Sequence, residues 1–309
     1  MPYLRKGNQY QYQITYHKIK VGEKLFDKKK SPYFFIAPFF IMFVIFWIWP
    51  IVQSFIWSFT EWDGLSEKKF VGFGNYIALF SEKDFLISLK NTILAAAVYI
   101  ILLLIISLIL GFLLNSAILK GRAFFRTSFF IPVTVSLPVV ALIFYIIYAP
   151  HNGVLNNIFS FLGMADSINW LGDTKFALWS IVGLRVWRAA GYYTIFVIAG
   201  LQAIPRNTVE AGHVDGAGTW QIIRHIILPQ LKPIIVYIII ASSIWAFQLF
   251  EEPWILTQGG PINATSTVAI HIYRNAFRFF KLGYASASAY VLTMVIMIFA
   301  IINLKIAKD

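Results

Sequence analysis

The sequence predicts an all-α membrane protein of six transmembrane helices, and three observations carry that prediction. Hydrophobic residues make up 59% of the 309 and charged residues only 13%, with a mean hydropathy of +0.70. That is too little charge to cover a soluble domain of this length. Six stretches reach or approach the roughly 20 apolar residues needed to cross about 30 Å of hydrocarbon. The period-two alternation of a membrane barrel is absent, and lipid then leaves helices as the way to satisfy the backbone.

The first thirty residues are polar and basic without an apolar core, so residues 1–31 read as a cytoplasmic tail and not as a cleaved signal peptide. Lys28, Lys29 and Lys30 sit where a topology anchor on anionic lipid belongs. Residues 32–309 form the six-span domain. Ser31–Thr60, Asn91–Leu119, Thr127–Ala149 and Leu282–Leu304 contain no Asp, Glu, Lys or Arg. Phe176–Leu201 is apolar apart from Arg185 and Arg188, and Pro233–Thr257 is apolar until Glu251 and Glu252. Sixteen Lys and Arg residues lie in the two terminal segments and the second-to-third and fourth-to-fifth connections. The smaller set on the other side is Lys68, Lys69, Lys83, Lys175, Arg274, Arg278 and Lys281. By the positive-inside rule both termini are cytoplasmic. The net charge of +12 is thereby directed at a membrane surface and not at nucleic acid.

The connection at 202–232 is too long for a simple turn. Ile204-Pro205-Arg206-Asn207-Thr208 predicts a helix exit and a new start, with Asn207 or Thr208 as N-cap. A short helix then carries Glu210, Ala211, Gly212 and His213, and Asp215-Gly216 breaks it with turn chemistry. A second helix from about Thr219 places Trp220, Ile223, Ile226 and Ile227 on an apolar side. Pro229 is expected to stop it, and Pro233 to open the next span. The result is a helix lying along the membrane with a surface of small side chains. Glu210 and Asp215 offer fixed acceptors to a basic partner; an ordinary interfacial loop is the alternative on physics alone.

The order Glu210-Ala211, Asp215-Gly216-Ala217, Leu228-Pro229 resembles the EAA loop of binding-protein-dependent ABC importer permeases. Gly212 stands where a second alanine is common there, and Ile223 where phenylalanine is common. Residues 247–267 (FQLFEEPWILTQGGPINATST), 183–205, 282–290 and 70–76 are similar to carbohydrate permeases related to the larger maltose-type membrane subunit. The resemblance implies a type I (MetI-like) importer fold in a bacterial plasma membrane. It implies a second homologous permease, two ATPase subunits docking on the loop, an extracytoplasmic binding protein and a sugar or oligosaccharide substrate. The alternatives are a permease for an amino acid or phosphate ester, or a self-sufficient secondary transporter or channel.

No phosphate-cradling Gly-x-x-x-x-Gly-Lys-Ser/Thr loop and no His-Glu-x-x-His pair occurs in the chain, and it has no cysteine. The chain is therefore expected not to be an enzyme and to carry no cofactor or metal; ATP and magnesium belong to the partner ATPases. His17, His151, His213, His225 and His271 are expected at the surface. For the substrate path, polar groups within spans must face protein or water. Gln248, Glu252 and Trp254 on the fifth span, Trp187, Arg188, Tyr192 and Tyr193 on the fourth, and Tyr290 on the sixth form the candidate cluster. An ion pair between Arg185 or Arg188 and Glu251 or Glu252 is the structural alternative. Pro253 is expected to free a backbone carbonyl, and 259–267 (GGPINATST) to be an outer loop that either connects or meets the binding protein.

Overall fold

A computed structural model describes residues 31–116, 119–163 and 167–308. The tail, with His17 and Lys28 to Lys30, lies outside the described residues. The chain divides into two units, Met1–Ile56 and Trp57–Asp309. Five helices are long and apolar enough to cross a membrane, or six if one bent pair is a single span, which matches the sequence expectation.

In the first unit, α1 (Tyr33–Trp57, its last residue opening the second unit) is apolar on every face. It contains a π turn at Val44–Ile48 just before Trp49-Pro50. Proline lacks an N–H and crowds the carbonyl four residues back, and one wide turn relieves both.

The second unit runs β1 (Thr60–Glu61), β2 (Lys69–Phe70), α2 (Gly74–Ser81), α3 (Lys83–Asn115), α4 (Arg122–Thr134), α5 (Leu137–Ile147), α6 (Val154–Phe161), α7 (Ala177–Ala203), α8 (Arg206–Val214), α9 (Thr219–Ile222), α10 (Leu228–Phe247), α11 (Glu251–Leu256), α12 (Val268–Tyr273) and α13 (Leu282–Lys308). The strands pair antiparallel, Thr60 opposite Phe70. The most extensive helix pair is α3 on α7, and small residues permit it. Ser88, Thr92 and Ala96, then Ser107 and Gly111, recur at four-residue spacing on the buried face of α3. Where lipid removes most of the hydrophobic drive, close approach supplies the packing. A Cβ on Gly111 would lie 2.4 Å from Val197 Cγ1 of α7.

Three spans depart from expectation. The second helix begins at Lys83, two turns before Asn91, with Asp84 in its first turn, where an acid complements the helix dipole. The third is broken: α4 and α5 meet at 103°, because Pro138 at the start of α5 removes the donor that Thr134 would need. The helix expected to stop at Pro229 instead continues, since the span runs from Thr219 to Leu256. A π turn at Ile223–Ile227 precedes Leu228-Pro229, repeating the device of α1, and Pro233 consequently lies inside α10.

Segment 259–267 is half wedge, half loop. Ile262 is 90% exposed, whereas Thr265, Ser266 and Thr267 are fully or almost fully buried. Ser88 Oγ lies 3.0 Å from Ser266 Oγ, and Asn91 donates to the Asn263 and Ser266 carbonyls. Thr267 donates to the Leu249 carbonyl at 2.6 Å. Leu249 is the residue that Pro253 leaves without an N–H partner, so the expected free carbonyl exists and is filled.

His271 was expected at the surface and is buried, because α12 packs it under Phe85 and Tyr284. Its Nε2 is 3.4 Å from Glu82 Oε2, which also accepts the Tyr284 hydroxyl. His151, His213 and His225 are exposed as expected. Desolvation holds the His271 pKa below its ordinary 6.5, with Glu82 opposing. The folded chain thus prefers the neutral ring. Its contribution to stability is complete above pH 6.5, starts to fall below that value as the unfolded chain takes up the proton, and is gone once pH has passed the lower folded value. The melting temperature should fall on that acid side, and His271→Gln should flatten the fall; an unaltered curve would refute the assignment.

Gly191 on α7 makes the tightest backbone contact with the bent pair. A Cβ there would sit 1.7 Å from the Phe129 carbonyl oxygen of α4, whereas at Gly183 on the same helix the nearest atom is 3.7 Å away. Gly191→Ala should cost about 1–3 kcal/mol by forcing the helices apart, and Gly183→Ala should cost nothing measurable. Thermal melts of the two purified variants check the contrast.

Candidate functional site

A cavity of about 600 Å³ in the second unit lies where α7 faces both broken spans. Of the sequence-predicted path residues, Arg188, Tyr192, Tyr193, Gln248 and Glu252 line it, joined by Arg185 and Glu251. Trp187 does not. It points away from the cavity, is 49% exposed, and packs on Phe144. Trp254 is also outside, held in an aromatic group with Phe250 and Tyr273 and under the Arg278 guanidinium at 4.9 Å. Tyr290, half-buried on α13, is not among the lining residues. The sequence reading missed Tyr99 of α3, Val133 and Leu137 at the α4–α5 elbow, Ala189, and Trp245 and Phe250 at the α10–α11 break.

The reason for both outcomes is helical phase. Arg185, Arg188, Ala189 and Tyr192 recur at three- and four-residue spacing and so share one face of α7, while Trp187 lies off it. Of the missed residues, Val133, Leu137, Trp245 and Phe250 flank breaks that only the fold reveals, whereas Tyr99 comes from α3 and Ala189 is a small apolar residue on the α7 face itself.

Charge inside the cavity is matched unevenly. Arg185 Nη1 donates to Glu252 Oε2 at 3.2 Å and Nη2 to the Trp245 carbonyl at 2.6 Å, and the guanidinium lies 5.4 Å over the Tyr99 ring. Of the ion pairs left open by the sequence, this is the one formed. Glu251 is exposed on the cavity rim. Arg188 turns to backbone: Nη2 reaches the Val133 carbonyl at 3.4 Å and the Val135 carbonyl at 3.3 Å, and its buried Nε has no hydrogen-bond partner.

The second region is the α8 segment. Helix α8 forms where expected, but Pro205 is its N-cap residue without a side-chain bond, and neither Asn207 nor Thr208 caps it. Proline's fixed φ suits that entry. Gly216, at φ +78°, turns the chain, and the Ala217 N–H returns to the Gly212 carbonyl at 3.0 Å. Gly212 is buried against its own chain: a Cβ would lie 2.7 Å from Ile226 Cδ1. It is therefore unavailable to another backbone, contrary to the small-surface reading. Glu210, Ala211, Asp215 and Gly216 are exposed, Ala217 and Leu228 are intermediate, and Pro229 is exposed. Trp220, expected on the apolar side, is 68% exposed, and Ile222 takes the buried place. Val214 is 86% exposed. The outward face thus combines two carboxylates with Val214 and Trp220.

Comparison with known proteins supplies context. Residues 107–306 match the family described as "Binding-protein-dependent transport system inner membrane component". The chain is 35% identical to the probable ABC transporter permease YurN of Bacillus subtilis, covering 91% of this chain and 97% of that one. It is 35% identical to the arabinooligosaccharide permease AraP of the same organism (91% and 90%). It is 32% identical to the lactose permease LacF of Rhizobium radiobacter (89% and 93%). Among solved structures it shares the fold of a chain of a bacterial ABC transporter involved in import of the acidic polysaccharide alginate. That match has a TM-score of 0.80, 22% identity, and covers 94% and 98% of the two chains.

Removing one partner from a buried pair costs about 3–5 kcal/mol, because the other charge is left uncompensated. Glu252→Gln should therefore lower the melting temperature more than the double variant Arg185→Met/Glu252→Gln does. Equal melting temperatures would mean that the pair is fully solvated.

Proposed function

Because the chain belongs to the inner membrane components of binding-protein-dependent transport systems, we propose that it forms half of the translocation path of a sugar or oligosaccharide ABC importer. The observation that carries this is the cavity between α7 and the two broken spans. Tyr192, Tyr193 and Trp245 offer aromatic faces to sugar C–H surfaces, and Gln248 an amide to hydroxyls. The names of the arabinooligosaccharide and lactose permeases support the substrate class.

In this reading the end of the bundle carrying α8 is cytoplasmic, as are both termini, and the opposite end with segment 259–267 is external. A second homologous permease completes the path, and an extracytoplasmic binding protein delivers solute. Two ATPase subunits supply the drive, holding ATP and magnesium. Glu210, Asp215, Val214 and Trp220 present the acidic and apolar groups that an ATPase cleft would engage. Closure of the ATPases on ATP moves α8, and α8 passes that motion to the bundle through its own packing on the α9–α10 turn, where Gly212 seats Ile226.

Reconstitution of the co-purified complex tests the reading. ATP-dependent uptake of radiolabelled arabinotriose or lactose is expected, and uptake of amino acids alone would overturn it. Glu210→Lys should lower solute-stimulated ATP hydrolysis about tenfold or more, as loss of an interfacial charge pair does, with the complex still assembled. Unchanged stimulation would remove α8 from the docking role.

A further inference from the structure

Two helix breaks wall the cavity: the α4–α5 elbow leaves the Val133 and Val135 carbonyls to a side-chain donor, and at the end of α10 the Trp245 carbonyl accepts the Gln248 N–H at 3.1 Å and a side-chain donor besides. One arginine of α7 serves each break. Arg188 reaches the Val133 and Val135 carbonyls of the α4–α5 elbow. Arg185, one turn away, reaches the Trp245 carbonyl at the end of α10 and the Glu252 carboxylate in the first turn of α11. Beyond the breaks, α5 and α11 pack against each other. The two half-helices are thus joined to one another and pinned to α7 at two points.

We propose that Arg185 and Arg188 are positioning residues for transport: they latch α5 and α11, as one lid, over the end of the cavity opposite α8. This deepens the reading of the cavity as the solute path and rests on it. The latch is asymmetric. Arg185 is held by a 2.6 Å bond and an ion pair, whereas Arg188 has two long bonds of 3.3 and 3.4 Å and a buried Nε without a partner. Release therefore begins at the α4–α5 elbow, where the least hydrogen bonding is given up. Both bonds come from Nη2 at the tip of the guanidinium, and a lysine ammonium, a compact point charge that lacks the planar group, should hold the elbow less well from the same position. Arg188 acts on solute through the lid it holds, its Nη2 being engaged by the wall.

The chain has no cysteine, so Ala189→Cys places a single thiol of this subunit on the cavity wall. The experiment uses the whole reconstituted complex, with cysteines of the other subunits replaced. A membrane-impermeant maleimide is added from the side opposite α8. In the Arg188→Met background, which keeps the stem and removes the fork, labelling should be about tenfold faster, the factor a lost hydrogen bond to a charged group is worth. Arg188→Lys should fall between Met and the parent, and uptake of the transported sugar should lose kcat with little change in KM. Should Arg188→Met not assemble with its partners, Arg188→Lys carries the comparison. Unchanged labelling together with a raised KM would overturn the latch and make Arg188 a solute ligand. The underlying path reading fails separately: full sugar uptake after complete modification of the Ala189→Cys thiol would show that solute travels elsewhere.

Discussion

Interrupted backbone in an apolar medium is the constraint on which this structure turns. A helix break within a span exposes carbonyls that neither lipid nor a dry core can satisfy. The second unit has such breaks between α4 and α5 and between α10 and α11, and side chains from neighbouring elements answer each of them. Thr267 fills the Leu249 carbonyl that Pro253 leaves free. On the α7 side Arg188 fills the Val133 and Val135 carbonyls, and Arg185 adds a second donor to the Trp245 carbonyl, which also accepts the Gln248 N–H. The same two guanidinium groups would be costly inside a span without such acceptors, so the breaks and the charges solve each other's problem.

This mutual solution places the cavity. Small residues bring α3 and α7 close, and Gly191 brings α4 onto α7 with no room for a methyl group. The elbow after α4 then carries α5 away at a steep angle, opening a space that aromatic rings and Gln248 line. At the far end a polar weld ties α3 to α12 and the segment before it: Ser88 meets Ser266, Asn91 donates to the Asn263 and Ser266 carbonyls, and the Thr92 hydroxyl accepts the Val268 N–H. At the near end α8 stands outward on a glycine turn. The closely packed middle thus connects an exposed acidic face to a pair of half-helices.

Span count and the short helix with Glu210 were legible in the sequence because hydropathy and turn residues act locally. Five of the eight residues expected on a path line the cavity for a related reason: polar and aromatic groups within a span have few places to go. Trp187, Trp254 and Tyr290 were not separable from them, since aromatic content alone carries no helical phase, and each packs elsewhere. The π turns before Pro50 and Pro229 were hidden because proline reads as a stop, whereas one widened turn lets the helix continue. His271 looked like a surface residue because its burial depends on Phe85 and Tyr284, distant in sequence. The break-and-latch arrangement pairs residues about fifty to sixty positions apart, beyond any local pattern.

A structure of the assembled complex trapped with its sugar tests the central claim most directly. The account predicts sugar against Tyr192, Trp245 and Gln248 while the Arg188 fork still rests on the Val133 and Val135 carbonyls. Sugar bound outside this space, or Arg188 turned from the elbow to grip it with α5 and α11 unmoved, would contradict the account.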